Sequence, residues 1–258
     1  MGKEILGGIE LNRIYQMDCL EGMKLIPDKC VDMILCDLPY GTTACKWDSI
    51  IPFDKLWEQY TRVIKDNGAI VLTASQPFTS ELIHSNLKLY RYNLVWDKVG
   101  VSNPMLAKKQ PLKQHEDICI FYKKQPIYNP QMTEGKLWHR GGKKEHKTET
   151  LGSASLTNNG SDKTNVKYPK SILPFSNANK MSNIHPTQKP VALFEWLIKT
   201  YTNEGCLVLD NCIGSGTTAV ACIQNNRKWI GFETDSNYIE LANKRLEKVQ
   251  LEDDLNIY

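Results

Sequence analysis

A strand, a glycine turn and a helix follow one another through Leu207-Val208-Leu209-Asp210-Asn211-Cys212-Ile213-Gly214-Ser215-Gly216-Thr217-Thr218, close to the end of a 258-residue chain. Glycines let a backbone turn tightly and approach a ligand with no Cβ in the way. A second apolar strand, Trp229 to Phe232, ends at Glu233. At such a strand end a carboxylate accepts hydrogen bonds from ribose hydroxyls. The two elements point to a nucleoside-cofactor pocket; the plain alternative is a structural glycine turn beside a strand-end acid. Thr217 stands where a P-loop needs Lys, which argues against a nucleoside triphosphate. Gly214, Gly216 and Ala219 fit G-x-G-x-x-A, so a nicotinamide cofactor must be weighed. A dinucleotide fold, however, begins with this element and builds two halves after it. Here too little chain follows. The remaining strands must come from upstream, and the order of the fold is then circularly permuted.

Upstream patterning supplies those strands. Leu11 to Met17 (ending at Asp18), Val31 to Cys36 (ending at Asp37), Ala69 to Ala74, Tyr90 to Trp96 and Ile118 to Tyr122 read as strands. Leu20 to Ile26 reads as a helix stopped by Pro27. Phe53 to Lys65 has helical spacing and a closing Asn67-Gly68, and Ser75 can cap a helix over Pro77 to Asn86. Further on, Val191 to Tyr201, Thr217 to Gln224 and Asn237 to Val249 are helices, and Cys206 to Leu209 is a strand. Strands alternating with helices predict an α/β fold, a Rossmann-like, mostly parallel sheet with helices on both faces. Between 125 and 184 the chain turns to Gly, Asn, Ser, Thr and Lys with few apolar clusters, too long a stretch for a plain loop. The expected division is 1–124, an inserted region at 125–184, and 185–258.

Charge follows the same division. The net charge is only +3, yet residues 98–189 hold 16 Lys and Arg against 6 Asp and Glu, while the remainder holds 16 against 23. A basic middle in an acidic frame suits a polyanion, or else a solvated insertion. The cysteines Cys19, Cys30, Cys36, Cys45, Cys119, Cys206, Cys212 and Cys222 show no paired C-x-x-C spacing, and the five histidines are scattered. They read as reduced, small hydrophobes with no metal site. No apolar run approaches the roughly 20 residues of a spanning helix. The first residues, Met1-Gly2-Lys3-Glu4, lack the apolar stretch of a signal peptide, so a cytoplasmic protein is expected.

A second constellation gives the cofactor a use. The strand Asp32 to Cys36 delivers Asp37-Leu38-Pro39-Tyr40-Gly41 to a sheet edge. Taken alone, this is a turn after a strand. With the glycine turn downstream, it resembles the signature of the amino-methylating DNA methyltransferases, Asp-Pro-Pro-Tyr or Ser-Pro-Pro-Tyr, with Leu38 as a departure. The order of motifs is similar to that of the permuted beta class, and His185-Pro186-Thr187-Gln188-Lys189-Pro190 resembles the motif preceding its glycine-rich strand. The resemblance covers residues 11–122 and 185–250.

The resemblance implies S-adenosylmethionine as cofactor and an exocyclic base amine as acceptor. Asp at the first signature position is associated with adenine N6 and Ser with cytosine N4. Asp37, Leu38, Pro39 and Tyr40 are then the catalytic set: Asp37 and a backbone carbonyl near Leu38 or Pro39 accept hydrogen bonds from the amine protons, and Tyr40 stacks on a flipped base. The implied cofactor set is Asp18, Cys19, Asp37, His185, Lys189, Asp210, Asn211, Cys212, Gly214, Ser215, Gly216, Thr217, Thr218, Glu233 and Thr234. Within it Glu233 holds the ribose and Asp18 the adenine amine, the turn and His185 face the methionine end, and Lys189 meets the cofactor carboxylate or solvent. Lys108, Lys109, Lys113, Lys123, Lys124, Arg140, Lys143 and Lys144 are candidates for double-stranded DNA. A homodimer and a cognate restriction enzyme are further partners this reading allows. Its rivals are a cytosine N4 enzyme, an RNA or protein amine methyltransferase, an inactive DNA-binding module and a nicotinamide oxidoreductase.

Overall fold

The computed structural model describes residues 3–43, 48–102, 104–139, 163–177 and 188–255. They fall into two compact units, Met1–Asn129 with Ser171–Tyr258, and Pro130–Lys170. The smaller contains the antiparallel strands β8 (Thr133–His139) and β9 (Lys163–Lys167). The larger contains a hairpin of β1 (Ile5–Leu6) and β2 (Ile9–Glu10), followed by the main sheet.

Among the described residues that sheet has eight strands. They are β3 (Arg13–Gln16), β4 (Val31–Asp37), β5 (Ile64–Ala74), β6 (Tyr90–Ser102), β7 (Lys113–Phe121), β10 (Ile172–Pro174), β11 (Leu207–Asp210) and β12 (Lys228–Glu233). Their spatial order is β10-β6-β7-β5-β4-β11-β12-β3, and only β7 runs against its neighbours. The first strand of this sheet therefore lies beside the last, with Gln16 opposite Glu233.

Side-chain alternation makes the two cores. On β4, Ile34 and Cys36 face one side and Met33 and Leu35 the other; β5 divides Ile70 and Leu72 from Ala69 and Val71 in the same way. The first side is covered by α1 (Cys19–Lys24), α2 (Phe53–Val63) and α3 (Phe78–Ser85), through Met23, Leu56, Tyr60, Phe78 and Leu82. The second is covered by α4 (Val191–Tyr201), α5 (Thr217–Ile223) and α6 (Ser236–Leu255), through Leu193, Leu197, Val220, Ala242 and Leu246. Each fully buried Leu, Met or Phe among them contributes about 1.5–3 kcal/mol. The central strands are apolar on both faces because helices cover both.

Four local expectations are corrected. Asn67-Gly68 does not close α2; the helix stops at Val63, and both residues lie inside β5, whose Ile64 pairs with Val31. Tertiary pairing overrides the local turn preference there. Ser75 makes no side-chain cap on α3; its Oγ accepts from Lys113 Nζ instead. β6 and β7 are longer than their apolar runs, reaching Ser102 and back to Lys113. Ile172–Pro174, within the polar stretch, joins the sheet beside β6, with Leu173 buried.

The parallel strands β4, β11, β12 and β3 all end on one edge. β4 leads to β5 on one side, while β11 leads to β12 on the other. Connections that leave in opposite directions open a crevice at the carboxyl ends of the strands, where open α/β sheets bind ligands.

Candidate active site

The crevice is a cavity of about 610 Å³, within the range of a small-ligand pocket. Asp18, Asp37, Asp210 and Glu233 all line it, one from each of the strand ends just described. Cys19, Leu38, Pro39, Tyr40, Lys189, Asn211, Cys212, Gly214, Ser215, Thr217, Thr218 and Thr234 line it as well. Lys113 joins this lining rather than the outer surface. His185, Arg140, Lys143 and Lys144 lie outside the described residues. Lys108 and Lys109 are exposed at the end of the β6–β7 hairpin. Lys123 and Lys124 follow the other end of β7, away from the cavity, and pair with Asp66 at 3.2 and 3.3 Å.

The carboxylate of Asp37 is held from both sides. Its Oδ1 accepts from Tyr40 Oη at 2.7 Å and from Thr73 Oγ1. Its Oδ2 accepts from Lys189 Nζ at 2.6 Å. Lys189 is buried and lies 3.4 Å from Glu116, whose other oxygen takes Lys98. Burial pulls the Lys189 ammonium down, but Asp37 and Glu116 outweigh it and hold it above the ordinary lysine range. Burial likewise pushes Glu116 up, and Lys189 and Lys98 outweigh it and bring it below its ordinary value. The four charges alternate in sign, which is how charged groups tolerate burial.

The two residues after Asp37 have different places. The Leu38 side chain is buried in the core, so what it offers the cavity is backbone. The Tyr40 ring stacks on Phe78, with centroids 5.1 Å apart and planes at 24°. The Lys189 ammonium also lies over this ring, 5.7 Å from its centroid. The loop beyond is drawn together by Asp48, which accepts from the backbone N–H of Gly41, Thr42 and Thr43 at 2.8, 2.9 and 2.6 Å.

The glycine turn is braced internally. Gly214 and Gly216 have φ of +49° and +80°, and a Cβ on Gly216 would stand 3.1 Å from Ala242 Cβ. Asp210 faces inward, accepting from Cys212 N at 3.1 Å and from Thr218 Oγ1. Burial pushes its carboxyl up to about 7, against the pull of those bonds. Asn211 Oδ1 accepts from the buried Tyr60 Oη. Glu233 ties the turn to β12: one oxygen accepts from Gly214 N at 3.0 Å, the other from Thr234 N and Asp235 N at 2.8 and 2.9 Å. Asp18 caps α1, accepting on Oδ1 from Leu20 N and Glu21 N. Cys19 and Cys212 complete the wall. The Cys19 thiol is pushed far up by its contact with Cys212 and by burial. Cys212, although its contact with Cys19 works the other way, is raised by Cys36 and by burial.

A nucleoside cofactor without phosphates fits these residues. Carboxylates at two neighbouring strand ends suit a ribose diol and a base amine. Thr217 stands where a phosphate loop needs Lys, and the cation beside the turn, Arg245, is engaged by Ser215 O and Oγ at 2.6 and 3.2 Å. Sequence reasoning missed Glu116, Lys98 and Thr73. Glu116 and Lys98 had one signal, a charge directly beside a buried strand run, since a buried charge requires a partner.

The comparisons place the chain in a class. A family model for DNA methylases, the N6/N4 family, matches residues 31–244. The chain belongs to this family of amino-directed DNA methyltransferases, whose cofactor is S-adenosylmethionine. It is 28% identical over 261 residues to the DNA adenine methyltransferase YhdJ of Escherichia coli strain K12, covering 93% of this chain and 84% of that protein. It is 23% identical to the type II methyltransferase M1.MboII of Moraxella bovis, covering 94% of this chain and 99% of that one. Among solved structures, the M1.HpyAVI–S-adenosylmethionine complex matches with a TM-score of 0.62 at 23% identity, over 91% of this chain and 98% of the other. The cytosine-N4-specific PvuII DNA methyltransferase matches with a TM-score of 0.65 at 17% identity, over 92% and 89%. At these identities the structural matches speak for the α/β fold.

Proposed function

We propose that the chain methylates N6 of adenine in double-stranded DNA, with Asp37 and Tyr40 at the reacting base. One observation carries this reading: Asp37, oriented by three donors, shares a cavity with the glycine turn and Glu233. S-adenosylmethionine supplies an electrophilic methyl group on a sulfonium. Glu233 would hold its ribose, Asp18 its adenine amine, and the Asp210–Thr218 turn with Cys19 and Thr234 would enclose the rest.

An exocyclic amine is a poor nucleophile, because its lone pair is delocalised into the ring. Asp37 counters this by accepting a hydrogen bond from one amine N–H. A carboxylate offers about four lone-pair sites. Oδ1 already takes two hydroxyl donors, whereas Oδ2 takes only Lys189. The amine therefore hydrogen-bonds to Oδ2, and a backbone carbonyl at Leu38 or Pro39 accepts a hydrogen bond from its second N–H. The nitrogen becomes pyramidal, and the negative charge faces the positive charge that develops on it. Lys189 orients Asp37 rather than meeting the cofactor carboxylate.

The target must leave the duplex to reach this depth, at a cost of about a few kcal/mol. In this reading Tyr40, whose ring has Phe78 stacked on it and Lys189 Nζ 5.7 Å from its centroid, stacks on the base, offsetting about 1–3 kcal/mol. The inserted region, with Arg140, Lys143 and Lys144, is assigned to target recognition, and Lys108 and Lys109 to phosphates. The likeness to restriction-system methyltransferases supports a cognate restriction enzyme. A homodimer would embrace DNA better than one subunit, and sedimentation showing a monomer both free and on DNA would refute it. No helix of the described residues is long and apolar enough to cross a membrane, and a cytoplasmic location fits the substrate.

Adenine is favoured by Asp at position 37 and by the likeness to an adenine methyltransferase. The test is direct. The protein is incubated with S-adenosylmethionine and unmethylated DNA, the DNA is digested, and the nucleosides are weighed by mass spectrometry, with Asp37→Ala alongside. N6-methyladenine, lost in the variant, is expected. N4-methylcytosine would overturn the choice of base and keep the mechanism. No methylated base, with cofactor binding intact, would overturn the reading.

A further inference from the structure

The β6–β7 hairpin outruns the sheet that carries it. Asp37 pairs with Thr73, Thr73 with Ile118, and the last residue of β5, Ala74, with Asp117. β7 begins four residues earlier, at Lys113, still paired with Ser102. At 3.3–3.4 Å per residue the hairpin overhangs the sheet edge by about 13 Å before it turns. Ser102 and Lys113 line the cavity that contains Asp37, so the tip stands above its rim.

The tip is unusual for a solvent-facing loop. Pro104–Leu106 form a 3-10 turn closed by Ala107 N to Pro104 O at 3.1 Å and Lys109 N to Leu106 O at 2.8 Å. Met105 is 94% exposed at its apex, and Val99 and Val101 on the approach are 59% and 49% exposed. Val99 has φ of +63°, an outlier for a β-branched residue, at the bulge that interrupts the ladder between Asp97 and Ser102. From Val99 to His115 the chain contains no acid, and Lys108 and Lys109 are exposed beside the apex. An apolar apex inside a cationic collar suits a partner that is anionic outside and apolar within, as a base-pair stack is. Met and Pro are among the side chains that enter base steps in this way.

We propose that this tip is a wedge: Met105 enters the base stack of duplex DNA beside the target and occupies the space left by the flipped base, while Lys108 and Lys109 hold the flanking phosphates. The inference rests on the reading of duplex DNA as substrate. Filling the gap restores stacking that flipping removes, so the wedge lowers the cost of bringing a base to Asp37 and has no part in the chemistry there. Its turn is closed by its own backbone, so the apex keeps its place when DNA arrives.

The methylated position is first mapped on genomic DNA. Wild type, Met105→Gly and Met105→Leu are then compared on two duplexes, one fully paired and one with an abasic site opposite the target adenine, where the base is already unpaired. Met105→Gly should lose about tenfold or more in kcat/KM on the paired duplex, a factor equivalent to about 1.4 kcal/mol. That deficit should shrink to within about twofold on the abasic duplex, and Met105→Leu should restore most of the rate. With 2-aminopurine at the target, the fluorescence rise on binding should be smaller for Met105→Gly. Equal rates for Met105→Gly and wild type on the paired duplex, as for a tip that docks on another protein, would overturn the wedge, and so would the same deficit on both duplexes. A wild type inactive on both duplexes would instead sink the DNA methylation reading itself.

Discussion

Lys189 Nζ lies 2.6 Å from Asp37 Oδ2, and the lysine is buried while the aspartate faces the cavity. The pair is completed by Glu116, 3.4 Å away, so the lysine sits between two acids. Lys189→Met removes the cation that Asp37 and Glu116 share and leaves Glu116 with Lys98 alone, and losing one partner of a buried pair costs about 3–5 kcal/mol. Glu116 is held below its unfolded value of 4.5, so its contribution is present above that pH and lost as pH falls through the folded value. Lys189 is held above 10.5, so its contribution is present below that pH and lost as pH rises through the folded value. Urea unfolding should therefore show the gap between wild type and Lys189→Met widest between pH 4.5 and 10.5 and narrowing in acid. A gap that stayed constant down to full protonation of the carboxylates would contradict this account.

Tyr40 has two separable parts. Tyr40→Phe removes the hydroxyl bond to Asp37 and keeps the ring on Phe78. The expected loss in kcat/KM is about tenfold, the worth of one hydrogen bond to a charged group. Tyr40→Ala also removes the stacking surface, and a further loss of about ten- to a hundredfold is expected. Equal losses for the two variants would mean that the ring has no role with the base.

Asp210 carries a carboxyl raised by burial to about 7, from an unfolded value of 3.8. A raised acid contributes stability that is fully present below its unfolded pKa and is lost as pH rises through its folded one. Asp210→Asn is neutral at every pH. The difference in Tm, variant minus wild type, should thus become more positive as pH rises from 3.8 to about 7 and level off above. A flat difference across that window would mean that Asp210 is ionised throughout.

Lys108 and Lys109 are exposed on the overhanging hairpin. If both neutralise phosphates, the double alanine variant should weaken binding to any duplex and reduce the slope of log K against log salt by about 2. Fluorescence anisotropy over a salt series measures this, and an unchanged slope would remove the two lysines from the DNA interface.

The sequence reveals the parts of this molecule governed by local rules. Apolar strand runs, helical spacing and the glycine turn are local, and so is the acid that closes each strand. The pairing that sets Gln16 opposite Glu233 joins strands more than two hundred residues apart. What stayed hidden is decided by pairing across the chain. Thr73 reaches Asp37 only because β5 lies beside β4, and Glu116 reaches Lys189 across more than seventy intervening residues. β10 has three residues, too few to show a period. The overhang of β6 and β7 is polar and cationic, because beyond the sheet edge no core demands alternation.

The thiols in the wall of the cavity have a chemical consequence. Thiolates are among the best methyl acceptors a protein carries, and the thiol form is a poor one. Cys19 and Cys212 line the cavity, yet burial and the contacts among them and Cys36 keep both protonated. A sulfonium placed against that wall meets sulfur that has no charge to attack with. With the cofactor held as proposed, a loaded enzyme would await its target without alkylating itself.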